Sequence, residues 1–322
     1  MAPETTKGML HLFLQCLWLT GHTPHCWKPS HTSLLYKKGD PKDIQNYRPI
    51  SMTNTLAKVW TGLLTVALTD YSENHQCLSS VQEGFRKGKN THRQISTLLN
   101  TIEDAQITGK NIYTLYIDFT AAFNTVHHGR LIQIMELLKF PAQARNIITN
   151  LYDGAHTSIN TPNGPTPSIP VLRGTLQGDT LSPFLFLIYI EPLLRWLHQE
   201  GRGYHYGSLS HQENKKHNSS AGAYADDLDV TTNSATNLSI QADKITAFCK
   251  WAYLTVNHKK CGVTGGLFHT WKREGGTQRW DKDQRLRLQL EGKIHLLGAA
   301  VPYLPPDQSY EYLGIHINQL LN

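Results

Sequence analysis

Two carboxylates stand side by side in Tyr224-Ala225-Asp226-Asp227, at the tip of an apparent tight turn between short β-prone runs. Like charges held this close are costly unless a cation or a set of hydrogen-bond donors compensates them. A divalent metal can do this, since Mg2+ prefers carboxylate oxygens together with substrate phosphates. The plainer alternative is ordinary turn chemistry, in which Asp is favoured. A third carboxylate weighs against it. Asp118 ends the β-branched and aromatic run that starts at Asn111 and reads as a buried strand. An acid at the end of an apolar strand belongs at a sheet rim, where ligands bind. Beside Asp226 and Asp227, it would complete a site for two metal ions about 3.5–4 Å apart, which stabilises the attacking and leaving oxygens of phosphoryl transfer.

Phosphate-neutralising cations occur upstream. Lys37-Lys38 follows a strand-like run, and Arg48 stands in Asn46-Tyr47-Arg48-Pro49-Ile50-Ser51 after a short polar loop. Arg suits bidentate phosphate contact and Lys serves as a point charge. Lys37 is favoured over Lys38, and Arg48 could instead form a structural ion pair. Gln82 to Thr91 is a glycine-punctuated basic loop whose Gly84 allows close backbone approach, while Phe85, Arg86 and Lys89 could grip a template strand. A second glycine loop, Arg173 to Asp179, carries Gln177 and Gly178 and precedes Ser182-Pro183, read as an N-cap and first helical position.

In this order, the segment Asp118-Phe119-x-x-Ala122-Phe123, the Arg173 to Pro183 block and Tyr224-Ala225-Asp226-Asp227 resemble the palm of a reverse transcriptase. The likeness is strongest to the non-LTR (long interspersed element) retrotransposon type, with group II intron proteins more distant, and it runs from about Trp27 to the C-terminus. It implies an RNA-directed DNA polymerase that extends a primer 3′-hydroxyl with dNTPs on an RNA template. It also implies two Mg2+ ions, with Mn2+ able to substitute, held by Asp118, Asp226, Asp227 and the Phe119 carbonyl. Under the same resemblance Lys37 and Arg48 face the triphosphate, and Gln177 and Gly178 line the nucleotide pocket. Phe123 crowds the ribose 2′ position and selects dNTPs, the 2′-hydroxyl being what distinguishes the two sugars. Asn257-x-x-Lys260 resembles the family's block that supplies a lysine near the leaving pyrophosphate, as general acid or as neutralising charge, with Lys259 the one-residue alternative. The loop with Gly84, Phe85, Arg86 and Lys89 is then the template contact, and Tyr312-Leu313-Gly314 resembles the hairpin that positions the primer end.

The expected fold is α+β: fingers and palm of a right-hand polymerase, the palm an antiparallel sheet backed by helices, the thumb largely absent. Expected segments are a helical lead-in over 1–26, fingers over 27–110, and a palm over 111–263 with an inserted hairpin (155–172) and a polar loop (201–220). An exposed loop over 264–285 and a C-terminal hairpin region over 286–322 complete the chain. Helical spacing predicts helices from Thr55 to about Tyr71, Thr91 to Gln106, Leu131 to Leu138, Ala142 to Tyr152, Phe184 to His198 with a kink at Pro192, and Leu238 to Trp251. The helices over 131–152 are expected on the back of the palm sheet, the lead-in helix against the fingers, Lys215-Lys216 in a solvated loop, and Asp229 facing solvent.

Lys and Arg number 31 against 25 Asp and Glu, a net +6 that suits a phosphate-bearing partner without requiring one. Five cysteines (Cys16, Cys26, Cys77, Cys249, Cys261) include no C-x-x-C pair, which disfavours a zinc knuckle or disulfide framework and fits a reducing compartment. The apolar stretch Met9 to Leu19 is interrupted by His11 and Gln15 and lacks a basic lead. It is no signal peptide, and no stretch reaches transmembrane length. A nuclear, intracellular setting without membrane contact is expected. The opening within helix-like sequence suggests a frame that starts partway into a larger protein. The competing reading is a catalytically dead, truncated retrotransposon remnant that at most binds nucleic acid. A group II intron maturase would need a further maturase region, and an RNA-templated RNA polymerase is disfavoured by Phe123.

Overall fold

The computed structural model describes residues 4–207, 218–268 and 278–321. The chain forms two compact units, each assembled from separated stretches. One runs through Leu78 and adds Phe123–Tyr189; the other joins Ser79–Ala122 to the chain from Ile190 onward.

In the first unit, strands Pro29–Tyr36 and Tyr47–Met52 pair antiparallel, with Leu35 opposite Arg48 and Tyr36 opposite Tyr47. His156–Thr161 adds to the other edge of Pro29–Tyr36 in parallel, and itself pairs with Gly164–Pro165 and Ile169–Pro170. The helix Thr55–Asn74 begins where the Asn54 side chain accepts from the Leu56 amide, and it buries Ala57, Trp60, Leu64 and Leu68 at helical spacing. Helices His128–Leu137 and Ala142–Tyr152 pack on each other.

The second unit is built on a four-stranded antiparallel sheet in the order Gly262–Leu267, Asn111–Asp118, Asp227–Thr232, Ala221–Tyr224. Every residue from Ile112 to Ile117 is buried, which explains why that strand reads as a continuous apolar run rather than an alternating one. Ile112 and Tyr116 form a core with Ile95, Leu98, Ile102 and Ala105 of the helix Thr91–Thr108. The helix Ala235–Ala252 packs against strands Asp227–Thr232 and Asn111–Asp118.

The expected α+β architecture with an antiparallel palm sheet backed by helices is present, but several expected boundaries are not. Residues 79–110 belong with the palm sheet rather than the fingers, because helix Thr91–Thr108 buries its apolar stripe there. The hairpin over 155–172 is not a palm insertion: its first strand pairs with Pro29–Thr32 of the first unit. Helices His128–Leu137 and Ala142–Tyr152 also lie in the first unit, not on the palm sheet.

The exposed loop over 264–285 is replaced at one end by the buried strand Gly262–Leu267 and at the other by the helix Gln278–Leu290, with 269–277 outside the described residues. Gly265 there is no turn signal; a Cβ would stand 2.6 Å from the Ile112 carbonyl oxygen, so glycine lets two strands lie close. Within 201–220, Tyr204–His205 pairs with Asn218–Ser219, while Lys215 and Lys216 fall outside the described residues.

The helix Leu181–Gln199 continues through Pro192 without ending, in a stretch where Ile188, Tyr189, Leu193 and Leu194 are all buried. It starts before Ser182: the Asp179 carboxylate accepts from the Leu181 amide at 2.9 Å, and Ser182 Oγ donates instead to the Leu176 carbonyl. The lead-in helix Glu4–Thr20 forms, yet buries only Leu17. Among the described residues no helix is long and apolar enough to cross a membrane.

Candidate active site

Asp118 closes the central palm strand, and Asp227 opens the neighbouring one directly opposite it in register. Opposed residues of an antiparallel pair project from the same face with Cβ atoms about 4.5–5.5 Å apart. The two carboxylates therefore share one rim. Asp226 occupies the two-residue turn between Tyr224 and Asp227, after Ala225, whose φ of +57° is in the left-handed region. All three acids are partly exposed, as a ligand-binding rim requires.

The electrostatics record the crowding. Burial and the charges of Asp226 and Asp118 push the Asp227 carboxyl up to about 6, with Lys260 acting in the opposite direction. Lys260 Nζ lies 3.8 Å from Asp118 Oδ1, and the Lys260 carbonyl accepts from Tyr310 Oη at 2.6 Å. Of the two lysines left open by the sequence, Lys260 is the one with this ion pair. Two bonds hold the chain beyond Asp118: Thr120 N to Thr255 O, and Asn257 N to Asp118 O, both 2.8 Å. Between them, the Phe119 backbone bridges Val256 while its ring is buried.

Among the described residues no three Asp, Glu, His or Cys side chains are already gathered in ligand geometry. Asp118 is paired with Lys260. The donor chemistry nevertheless fits a hard divalent ion, being carboxylate oxygens at a rim, with the Asp227 carboxyl raised.

The residues expected to bind nucleotide fall in the first unit, and backbone bonds connect them. Thr175 N donates to the Phe123 carbonyl, and Ser51 N, in the Arg48 strand, donates to the Gln177 carbonyl at 2.7 Å. Gly178 has φ +111°, and a Cβ would sit 3.0 Å from the Ser51 carbonyl oxygen, so only glycine fits this crossing. Just past the strand end, Lys37 N donates to Asn46 O at 2.8 Å. Phe123 is half-buried against Phe186, ring centroids 4.9 Å apart.

Three expected contacts are corrected. Arg86 and Lys89 turn inward rather than toward a template: Arg86 donates to the Ser79 and Gln82 carbonyls, and Lys89 to Ser80, Gln82 and the buried Glu83. They brace the loop from within, Lys89 sharing the Glu83 carboxylate with Arg93. Phe85 remains outward, 56% exposed, with Lys87 beside it and Tyr224 at 6.4 Å. Tyr312 does not offer its side chain to a primer either: it is buried, and its hydroxyl donates to Asp229 Oδ1 at 2.9 Å. Leu313 and Gly314 form the hairpin turn, both with positive φ.

Asp229, expected at solvent, is 4% exposed and also accepts from Gln94 Nε2 at 2.8 Å. Burial pushes its carboxyl up to about 7 despite those two donors. Asp229 and Gln94 carried no motif, but Asp229 lies two residues beyond Asp227 on one strand, so the period of two already placed it on the face of the Asp227 carboxylate. The fully buried Gln82 was likewise missed, hidden in a segment read only as a loop.

The family model described as "Reverse transcriptase (RNA-dependent DNA polymerase)" matches residues 36–317. The chain is 24% identical over 321 residues to the Pol polyprotein of retrotransposable element R2DM of Drosophila melanogaster, covering 98% of this chain and 27% of that protein. It is 22% identical to the RNA-directed DNA polymerase of the mobile element jockey of the same species, covering 100% of this chain and 32% of the relative. To the R2 polyprotein of Popillia japonica it is 31% identical over 184 residues, 56% of this chain and 25% of that protein. The chain thus spans about a quarter to a third of these relatives. Among solved structures, an apo telomerase from Candida tropicalis truncated from its C-terminal domain shares the fold, with TM-score 0.56, 14% identity, and coverage of 96% of this chain and 59% of that one. With acids paired across a palm sheet, and with a family model spanning nearly its whole length, this chain belongs to the reverse transcriptase (RNA-dependent DNA polymerase) family, and its relatives are enzymes of non-LTR retrotransposons.

Proposed function

We propose that this chain extends a primer 3′-hydroxyl with dNTPs on an RNA template, with Asp118, Asp226 and Asp227 and the Phe119 carbonyl as the ligands of two Mg2+ ions. The observation that carries the reading is the register of Asp227 opposite Asp118, with Asp226 adjacent and the Asp227 carboxyl pushed up to about 6 by burial and then by these neighbours. Carboxylates that raise one another's proton affinity also bind a divalent cation strongly. When bound, the ions stabilise the attacking and leaving oxygens of an in-line displacement.

The other roles fall to the chain's own groups. Lys260 neutralises charge on the departing pyrophosphate or gives it a proton. Lys37 and Arg48 neutralise the triphosphate, and Phe123 excludes a ribose 2′-hydroxyl while Gln177 and Gly178 line the pocket beside it. Phe85 meets the template strand by stacking, whereas the buried Gly84 closes its loop on Ala225 rather than on a template. Leu313 and Gly314 present the hairpin turn to the primer end. RNA template, DNA primer and dNTPs are the partners this implies, and the nucleus is the compartment where such an element is copied into a genome.

Primer extension on an RNA template with Mg2+, using the Asp226→Asn/Asp227→Asn double variant as control, tests the reading. Incorporation above the control supports it. Template binding with no synthesis above the control replaces it with a remnant that only binds nucleic acid.

A further inference from the structure

The strand ladder fixes Asp227, which pairs with both Asp118 and Tyr224, but it leaves Asp226 outside. Asp226 hangs from a two-residue turn whose first member, Ala225, adopts φ +57°. The left-handed region is disfavoured for a residue with a Cβ. Something beyond the ladder must hold that turn.

The segment Val81–Gly84 does so. Its backbone adds to the outer edge of the sheet, Ala223 N donating to Val81 O at 3.0 Å and Glu83 N to Ala223 O at 2.8 Å. This places the Gln82 carboxamide, 0% exposed, against both sides of Ala225. Gln82 Oε1 accepts from Ala225 N at 2.9 Å and from Gly84 N at 2.8 Å, and Nε2 donates to Ala225 O at 3.4 Å. At Gly84 a Cβ would overlap the Ala225 amide nitrogen, so glycine is what lets the segment close on the turn.

We propose that Gln82 is a positioning residue for the metal site: its buried carboxamide clamps the Ala225 peptide and so sets the direction in which Asp226 leaves the turn. The role rests on the polymerase reading above, in which Asp226 is a metal ligand. It follows that losing the amide while keeping the side-chain volume loosens Asp226 and spares the ladder that carries Asp118 and Asp227. Outer residues that orient metal ligands are worth about 10- to 100-fold in metal affinity.

Gln82→Met keeps the buried volume and removes both hydrogen-bonding groups. In the full chain three quantities are compared with the parent: amide hydrogen exchange at Ala225 and along 111–118, Mn2+ affinity by electron paramagnetic resonance, and kcat and KM for dNTP in primer extension. Exchange at Ala225 is expected to quicken about tenfold or more while amides of 111–118 keep parental rates, since the buried Ala225 amide is left without its acceptor and bears its full desolvation cost. Mn2+ affinity should fall about tenfold or more, and kcat with it, with KM within about threefold. Parental exchange at Ala225 together with parental Mn2+ affinity overturns the role. Uniformly faster exchange through 111–118 also overturns it, by showing general loosening. A parent that binds Mn2+ no more tightly than Asp226→Asn overturns the metal-site reading itself. Should Gln82→Met fail to fold, Gly84→Ala, whose methyl displaces the Ala225 amide, takes its place against the same outcomes.

Discussion

Relative to the parent, Asp229→Asn is expected to gain stability as pH rises from acid to about 7. The parent carboxyl is buried beneath the sheet rim, accepts from Gln94 and Tyr312, and is pushed up to about 7 from an ordinary value of 3.8. Between those values the folded chain holds more protons than the unfolded chain, so stability falls as pH rises. At 1.36 kcal/mol per pH unit, the loss between about pH 4 and about pH 7 comes to about 4 kcal/mol. The titratable groups facing Asp229 are the Tyr312, Tyr116 and Tyr206 phenols, all raised above their ordinary range and neutral throughout that window. Asn keeps an oxygen for both donors and has no proton to lose. Its unpartnered NH2 lowers the variant's curve by an amount independent of pH, so the slope of the difference is what counts. Urea unfolding of both proteins at several pH values from about 5 to about 8 gives that difference directly, because every other titrating group is common to the two chains. The variant should gain on the parent up to about pH 7 and then hold level. A difference that stays flat across the range, or shrinks as pH rises, refutes the account of Asp229 as a buried acid held at energetic cost.

Three further outcomes follow from the geometry. Lys260→Ala should lower kcat about 100-fold, the scale of a lost general acid, whereas Lys259→Ala should stay within about threefold; equal effects would remove the distinction drawn from the 3.8 Å pair with Asp118. Phe123→Val should cut the preference for dNTP over rNTP about 10- to 100-fold in single-nucleotide incorporation while leaving dNTP use largely intact, since apolar crowding discriminates by about 1–3 kcal/mol. Mn2+ binding, followed by electron paramagnetic resonance, should weaken as pH falls through about 6, because Asp227 must lose its proton to serve as a ligand; affinity level down to about pH 5 would contradict the crowding of the three acids.

Much of the second unit was legible in the residues because its strands and chemistry share one period. Asp118 ends an apolar run, Asp226 and Asp227 stand at a turn, and both readings survive in the register. Long helices with regular stripes were legible for the same reason, their ends displaced by a few residues. What was hidden depended on partners distant in sequence. Residues 79–110 read as fingers because nothing local shows that Ile95, Leu98 and Ile102 bury against Ile112 and Tyr116. Gly265 and Gly266 read as a loop signal, since the same residue type serves a turn and a close strand contact. Arg86 and Lys89 read as template grips because a cation's type does not reveal whether its partner is a phosphate or its own loop's carbonyls.

The register explains why the missed residues gather where they do. One step below the pairing of Tyr224, Asp227 and Asp118 runs a second row across the sheet: Gly222, Asp229, Tyr116 and Gly262. Both ends of that row are glycine. At Gly222 a side chain would overlap the Gln94 amide and crowd Asp229, and at Gly262 it would meet Leu304 and Tyr310. Between them Tyr310 stacks on Tyr116 at 4.1 Å with rings 5° from parallel, and Tyr312 reaches Asp229. The C-terminal hairpin and the helix Thr91–Thr108 are therefore anchored on the row next to the carboxylates, through glycines that let them approach and one acid that binds both. A carboxylate there destabilises the fold at neutral pH, yet it joins its own strand to the helix through Gln94 and to the hairpin through Tyr312. Sequence patterns mark the row of Asp118 and Asp227 because its carboxylates are partly exposed; the supporting row is written in glycines and a lone acid whose meaning exists only once the strands are in register.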